Sequence, residues 1–180
     1  MDSLETMVQL MKIKDSKSNQ NYFELMKNMK HLIDKCIYAR AFLCPQSTIM
    51  ESIVRHDLLI EKPKNKTSGD GYKNGTNFEI KCSVHAKGSK LNFVQIRPDH
   101  QIDYYILIGY NMYANIIGKA FILKVPINTM HKLVIRFGSY AHGTCKELGK
   151  INEANLKGRH CEYALRCNLN SKKGKNYGQN

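Results

Sequence analysis

Asp70, Glu79 and Lys81 are the residues of this chain whose types and spacing can do chemistry. Phe78, Ile80 and Cys82 alternate with Glu79, Lys81 and Ser83, a period of two that predicts a strand. Glu79 and Lys81 then share one face while the apolar residues anchor the other in the core. Asp70 lies in Ser68-Gly69-Asp70-Gly71, a turn whose glycines let the backbone approach closely, and a tight hairpin over the next nine residues brings it beside Glu79. Two carboxylates so placed repel one another and favour a hard divalent cation between them. Mg2+ takes one or two carboxylates and fills its other positions with water and phosphate oxygens, and Mn2+ suits the same oxygen ligands. Lys81 beside such a centre can orient or deprotonate an attacking water and offset the charge of a phosphorane-like transition state. The bland readings are a turn aspartate that satisfies its own backbone and a solvated Glu79–Lys81 pair worth under about 1 kcal/mol.

The composition supplies the substrate class. In 180 residues, 28 Lys+Arg stand against 15 Asp+Glu, a formal charge of +13. That excess points to an acidic polymer or an anionic surface. At 42% hydrophobic and 24% charged residues the chain reads as globular, which excludes a disordered basic tail, and its length suits one domain. The charge is uneven: residues 1–103 carry net +4, whereas residues 104–180 carry net +9, with only Glu147, Glu153 and Glu162 as acids. No apolar stretch approaches a membrane span, and the N-terminal residues lack the basic region and apolar core of a signal peptide. The six scattered cysteines are therefore expected as reduced thiols in the cytoplasm. A zinc site from His160, Cys161 and Cys167 lacks a fourth ligand. No membrane partner and no organic cofactor are expected.

The elements that must position the three residues follow from periodicity. Leu4, Met7, Val8 and Met11, and then Leu25, Met29, Leu32, Ile33, Cys36 and Ile37, have helical spacing, separated by a polar loop over residues 15–21. Thr48-Ile49-Met50-Glu51 fits a capping box that opens a helix with Ile49, Ile53 and Val54 inward. Tyr104–Gly109 reads as a central strand covered on both faces, and Ala120–Val125 as a further strand stopped by Pro126. Asn128 or Thr129 would cap a helix to about Phe137 with Gly138 at its end. The fold class is α/β (α+β), a single domain with helices flanking a mixed central sheet. Residues 1–45 form its helical N-terminal part, 46–137 its catalytic core, 138–170 a basic DNA-contacting segment, and 171–180 a flexible basic tail.

Asp70, followed by Glu79-Ile80-Lys81 on a strand, resembles the signature of the PD-(D/E)XK nuclease superfamily, with Gly69 in place of the frequent proline. Asn92–Pro98, the strand Asp103–Ile108 and Ser139–Thr144 resemble segments of type II restriction endonucleases, and the order and spacing run over Glu51–Arg166. The resemblance implies a restriction-endonuclease-like fold, a metal held by Asp70, Glu79 and the Ile80 carbonyl, and Mg2+-dependent cleavage of double-stranded DNA at a specific short sequence. It also implies that Glu51 is the acidic residue of the preceding helix that reaches the metal cluster. As the third helical residue of the capping box, Glu51 equally serves as a cap.

Among further polar groups, Gln95 can position a water or phosphate and Arg97 can clamp a phosphate, or both make ordinary loop contacts. Asp99, His100 and Asp103 form a rival cluster, in which Asp103 more simply opens the following strand. His142 suits a DNA-contacting loop or a structural place. Lys146, Asn155, Arg159 and Arg166 belong to the basic half and are candidates for phosphate or base contacts. A palindromic target would require a homodimer. The alternatives are a structure-specific, repair or RNA nuclease of the same fold, or a basic nucleic-acid-binding module without catalysis.

Overall fold

The computed structural model describes residues 29–38, 47–85, 90–111, 119–156 and 161–167. The expectations for residues 1–28, for Arg159 and His160, and for the tail 171–180 lie outside the described residues. In chain order the elements are helix α1 (Leu32–Tyr38), helix α2 (Ser47–Leu58), strands β1 (Gly71–Lys73), β2 (Thr76–His85), β3 (Leu91–Ile96), β4 (Tyr104–Asn111) and β5 (Lys119–Pro126), helix α3 (Ile127–Phe137), β6 (Gly138–Tyr140), a 3-10 turn (Lys146–Leu148), helix α4 (Glu153–Leu156) and β7 (Tyr163–Cys167).

These elements make one mixed α/β domain. Its central sheet runs β1-β2-β4-β5, with β2 and β4 parallel and the outer pairs antiparallel. The apolar run of β4 is buried from Tyr105 to Tyr110, as an unbroken hydrophobic strand requires. On one side Ile106, Ile108 and Tyr110 join Phe78 and Ile80 of β2 beneath Cys36 of α1 and Met50, Ile53 and Val54 of α2. On the other side Tyr105 and Leu107 pack with Leu91, Phe93 and Ile96 of β3, Met130 and Val134 of α3, and Tyr163 and Leu165 of β7. Each fully buried side chain of this kind contributes about 1.5–3 kcal/mol. Among the described residues no helix is long and apolar enough to cross a membrane.

Several local expectations are corrected. Helix α2 begins at Ser47 and buries Met50, Ile53 and Val54, so Glu51 lies beyond the third helical position that a capping box needs. Helix α3 begins at Ile127, directly after Pro126, without a side-chain cap from Asn128 or Thr129; the Ile127 N–H instead donates to the Asp103 carbonyl. Gly138 ends that helix in extended rather than left-handed backbone, its N–H donating to the Val134 carbonyl. Cys82 is exposed and stands outside the buried cluster that Phe78 and Ile80 join. Residues 138–167, expected as a binding segment, build part of the fold: β7 pairs antiparallel with β3 on one side and β6 on the other, a second sheet ordered β3-β7-β6 that closes the core.

The thiols differ from expectation as well. Cys145 and Cys161 form a disulfide, their Cα atoms 5.6 Å apart, while Cys36, Cys82 and Cys167 are free. The approach follows from backbone pairing: the Ala141 N–H donates to the Glu162 carbonyl, and the Glu162 N–H to Thr144 Oγ1, so the two chain segments are zipped beside the sulfurs.

Helix α2 ends in a Schellman-type turn in which the Ile60 N–H donates to the Arg55 carbonyl at 2.8 Å and Leu59 takes the left-handed backbone (φ 53). Leu59 is 76% exposed, so it buries nothing in return. Leu59→Gly should stabilise the protein by about 0.5–1 kcal/mol, the relief of left-handed strain less the entropy of glycine; an unchanged or lower thermal midpoint would contradict this. For the disulfide, closing a span of 16 residues corresponds to about 3 kcal/mol. Cys145→Ser should lower stability by that order in denaturant titration, and a midpoint insensitive to reductant in the wild type would show that the bond does not form in solution.

Candidate active site

Strands β1 and β2 turn over Asn74-Gly75, both in left-handed backbone (φ 48 and 82), which suits a two-residue hairpin of the right twist. Gly71 lies opposite Phe78 and Lys73 opposite Thr76. One step beyond this ladder the Asp70 N–H donates to the Phe78 carbonyl at 2.7 Å, and the Ile80 N–H donates to Asp70 Oδ2 at 2.8 Å. The hairpin thus carries Asp70 to the level of Glu79 and anchors its carboxylate on β2. In a strand the N–H and C=O of one residue point to the same side, so the Ile80 carbonyl also faces the Asp70 side and not the β4 ladder.

The backbone at Gly69, where the resembled signature frequently has proline, demands glycine. Its φ is +76, and a Cβ there would stand 2.5 Å from the Phe78 carbonyl oxygen and 2.6 Å from Ile102 Cδ1. Proline, locked near φ −65°, cannot occupy such a position. Gly71 is required by close approach, since a Cβ would meet Ile60 Cγ2 at 2.3 Å.

Glu79 is only 5% exposed, and Lys81 Nζ sits 2.5 Å from its Oε1. Glu79 is therefore buried and Lys81 partly so, and the pair is not a freely solvated one. Burial, with Asp70 adding to it, pushes the Glu79 carboxyl above the usual range, and Lys81 opposes the rise. Tyr105 stands beside Glu79 in the parallel register; burial first and the Glu79 charge second raise its phenol. Glu51 approaches from α2: burial and then Asp70 push its carboxyl up, while Lys81 and Arg55 pull it down. Asp70, Glu79 and Lys81 stand together on the β1–β2 hairpin, and Glu51 lies on α2 within electrostatic reach of them. Sequence reasoning missed Tyr105 and Arg55; spacing offered one signal, Arg55 standing one helical turn after Glu51.

The donor set fits a magnesium-type ion in part. Asp70, Glu79 and the Ile80 carbonyl belong to one level of the hairpin, and two carboxylates with one carbonyl are the kind and number of protein ligands such an ion takes. Among the described residues no group of three or more His, Cys, Asp and Glu side chains forms a ready cage.

The accessory candidates are scattered. Gln95 is exposed in left-handed backbone (φ 57) at the irregularity where β3 leaves its register with β7. Arg97 is engaged: its Nε and Nη2 donate to Glu162 Oε1 at 2.8 and 2.5 Å. His142, about half-exposed, has Nε2 3.8 Å from the other oxygen of Glu162. Asn155 spends its amide on the Leu148 and Lys150 carbonyls and accepts from the Asn152 N–H. Lys146 and Arg166 are exposed. Asp103 Oδ2 accepts from the Asn77 N–H at 2.7 Å, the strand-opening role.

The chain matches no protein-family model and no curated protein. The reading of the site rests on its geometry.

A metal ion requires the carboxylates ionised, and Glu79 and Glu51 hold their protons above the ordinary value of about 4.3. Mg2+ affinity should therefore climb with pH through a window above that value and level off once Glu79 has ionised. Without metal the linkage has the opposite sign: a carboxyl whose folded pKa is raised favours the fold at low pH, and that contribution is lost as pH rises through the folded pKa. Calorimetric Mg2+ titrations between about pH 5 and 8 test the first statement. An affinity flat over that range, or Glu79→Gln leaving the slope unaltered, would refute it.

Proposed function

We propose that the protein is a Mg2+-dependent endonuclease that hydrolyses phosphodiester bonds of double-stranded DNA at a specific short sequence, on a restriction-endonuclease-like fold. The supporting observation is the hairpin that anchors Asp70 through the Ile80 N–H at the level of a buried Glu79 clasped by Lys81. A turn aspartate satisfying only itself would not be held to the neighbouring strand, and a surface ion pair would not be buried.

Asp70, Glu79 and the Ile80 carbonyl would hold the ion. Bound there, Mg2+ supplies Lewis-acid polarisation of a phosphate oxygen and a bound water of lowered pKa. The chain's own groups do the rest. Lys81, fixed by its contact with Glu79, is a donor for a water oxygen and a positive charge beside the phosphate. Glu51, partly buried on α2 with a raised pKa, would be the candidate to accept a proton from an attacking water. Tyr105 and the cover of β3 keep solvent from the Glu79 side, which strengthens every charge interaction there. The basic half, net +9 over residues 104–180, draws the polyanion in. A palindromic target would be met by a homodimer carrying one such site per strand.

The test is incubation of plasmid and phage DNA with the protein in Mg2+ or Mn2+. Discrete fragments support the proposal; smearing or preference for branched DNA or RNA would replace it with a structure-reading nuclease, and no cleavage in either metal with a basic binding module. Asp70→Ala should reduce cutting by at least about 1,000-fold, the loss expected when charge stabilisation is removed at the reacting phosphate. Its DNA affinity should stay within a few fold of wild type. An Asp70→Ala protein that cuts at the wild-type rate would remove the catalytic assignment.

A further inference from the structure

We infer that Arg55 is the positioning residue of this site: its guanidinium ties the helix that carries Glu51 to the backbone of Asp70, and so sets the spacing of the acidic cluster. The inference rests on the nuclease reading above.

Arg55 Nη1 donates to the Asp70 carbonyl at 2.9 Å, and Nη2 donates to Ser52 Oγ at 3.2 Å, one turn back on the same helix. Two acceptors on different elements thus fix the plane of a rigid fork, which a flexible ammonium cannot reproduce. Arg55 follows Glu51 by four residues and lies on the same helical face, so whatever moves α2 moves both. The aliphatic stem contributes too. A Cβ at Gly71 would be 3.3 Å from Arg55 Cδ, so the arginine packs against the chain where Asp70 passes into β1.

The surrounding bonds show what Arg55 adds. Asp70 is held on its β2 side by its own N–H to Phe78 and by the Ile80 N–H to its carboxylate. Those contacts fix Asp70 relative to Glu79 but say nothing to α2. Farther along, Glu61 and Tyr72 exchange backbone hydrogen bonds at 2.8 and 3.0 Å, and Lys73 Nζ donates to the Leu58 carbonyl at 2.6 Å, so the last turn of α2 and the chain just after it are joined to β1. Met50, Ile53 and Val54 pack the helix on Phe78 and Ile80 of β2. The Arg55–Asp70 bond adds a polar join one turn from Glu51, at Asp70 itself, and so sets how α2 presents Glu51 to Asp70 and Glu79. The guanidinium donates to a backbone oxygen, so it leaves both Asp70 carboxylate oxygens to the cluster and the Ile80 N–H. Arg97 offers a contrast within the chain, its guanidinium being spent on Glu162.

The experiment compares wild type, Arg55→Met and Arg55→Lys on a plasmid fragment that the wild type cuts. The readouts are kcat, the Mg2+ concentration for half-maximal cleavage, DNA affinity in Ca2+, and the thermal midpoint. Arg55→Met keeps the stem and loses the fork. It should raise the half-saturating Mg2+ or lower kcat by about 10- to 100-fold, the range for partners that orient metal ligands. DNA affinity in Ca2+ should stay within about threefold, since no phosphate contact is removed. Arg55→Lys keeps the charge but meets one acceptor at a time, and should recover only part of the loss; it also serves if Arg55→Met does not fold. Two folded variants with wild-type kcat and Mg2+ dependence would overturn the inference and leave the nuclease reading standing. Full recovery by Arg55→Lys would also overturn it, because charge alone would then suffice. A wild type that cuts no DNA in Mg2+ or Mn2+ overturns the nuclease reading and this inference together.

Discussion

A carboxylate is not taken out of water on a central strand unless the charges and dipoles around it are already set, and the burial of Glu79 is the constraint on which the rest of this structure turns. An ionised group in a poor dielectric costs several kcal/mol unless it is paired. Lys81, two residues on and on the same face, provides the pairing. What buries the pair is the second sheet. Ser83 Oγ accepts the Asn92 N–H at 2.7 Å and so pins β3 over the face that Glu79, Lys81 and Ser83 share. Removing β3 would solvate Glu79 and erase its shifted pKa; removing Lys81 would leave a buried charge opposed by Asp70. The layers of the domain and the electrostatics of the site are thus one arrangement.

Much of this was legible in the sequence, for reasons that individual residues make clear. Strand β2 follows from strict alternation, β4 from an unbroken apolar run, and the hairpin from Asn74-Gly75 and the glycines around Asp70. Such signals are local, and local geometry suffices to bring Asp70, Glu79 and Lys81 together. The burial of the Glu79–Lys81 pair was not legible, because polar residues at period two read as a wet face until something covers them. Strand β3 alternates over only Leu91–Val94 before the left-handed Gln95 breaks the period, and β7 is five residues long with Tyr163, Ala164 and Leu165 all buried, so neither gives a sustained alternation. Arg55 was invisible for a third reason: its partner is a backbone oxygen on another element, and nothing in a side-chain pattern announces that.

The basic half gains definition in the same way. It is no bare field of cations. Glu162, one of its three acids, gathers Arg97 and faces His142, and Asn155 folds its amide onto its own turn. The charge left exposed belongs to side chains such as Lys146 in the 3-10 turn and Arg166 on β7. A field of exposed cations acts diffusely and is screened by salt, whereas the hydrogen bonds around Asp70 on β2 are local.

The parallel pairing of β2 with β4 carries a consequence for the order of assembly. The β1–β2 hairpin is closed by two residues, and hairpins of this kind form in about 1–10 µs. The β2–β4 ladder must wait until the chain has travelled out through β3 and back, and such non-local pairings are the slow ones. With hairpin closure first, Asp70 and Glu79 would meet while Glu79 still lies in water with Lys81 beside it, and the charge would be dehydrated late, and in company. A chain that folded in the reverse order would have to push an unpaired carboxylate through a forming core.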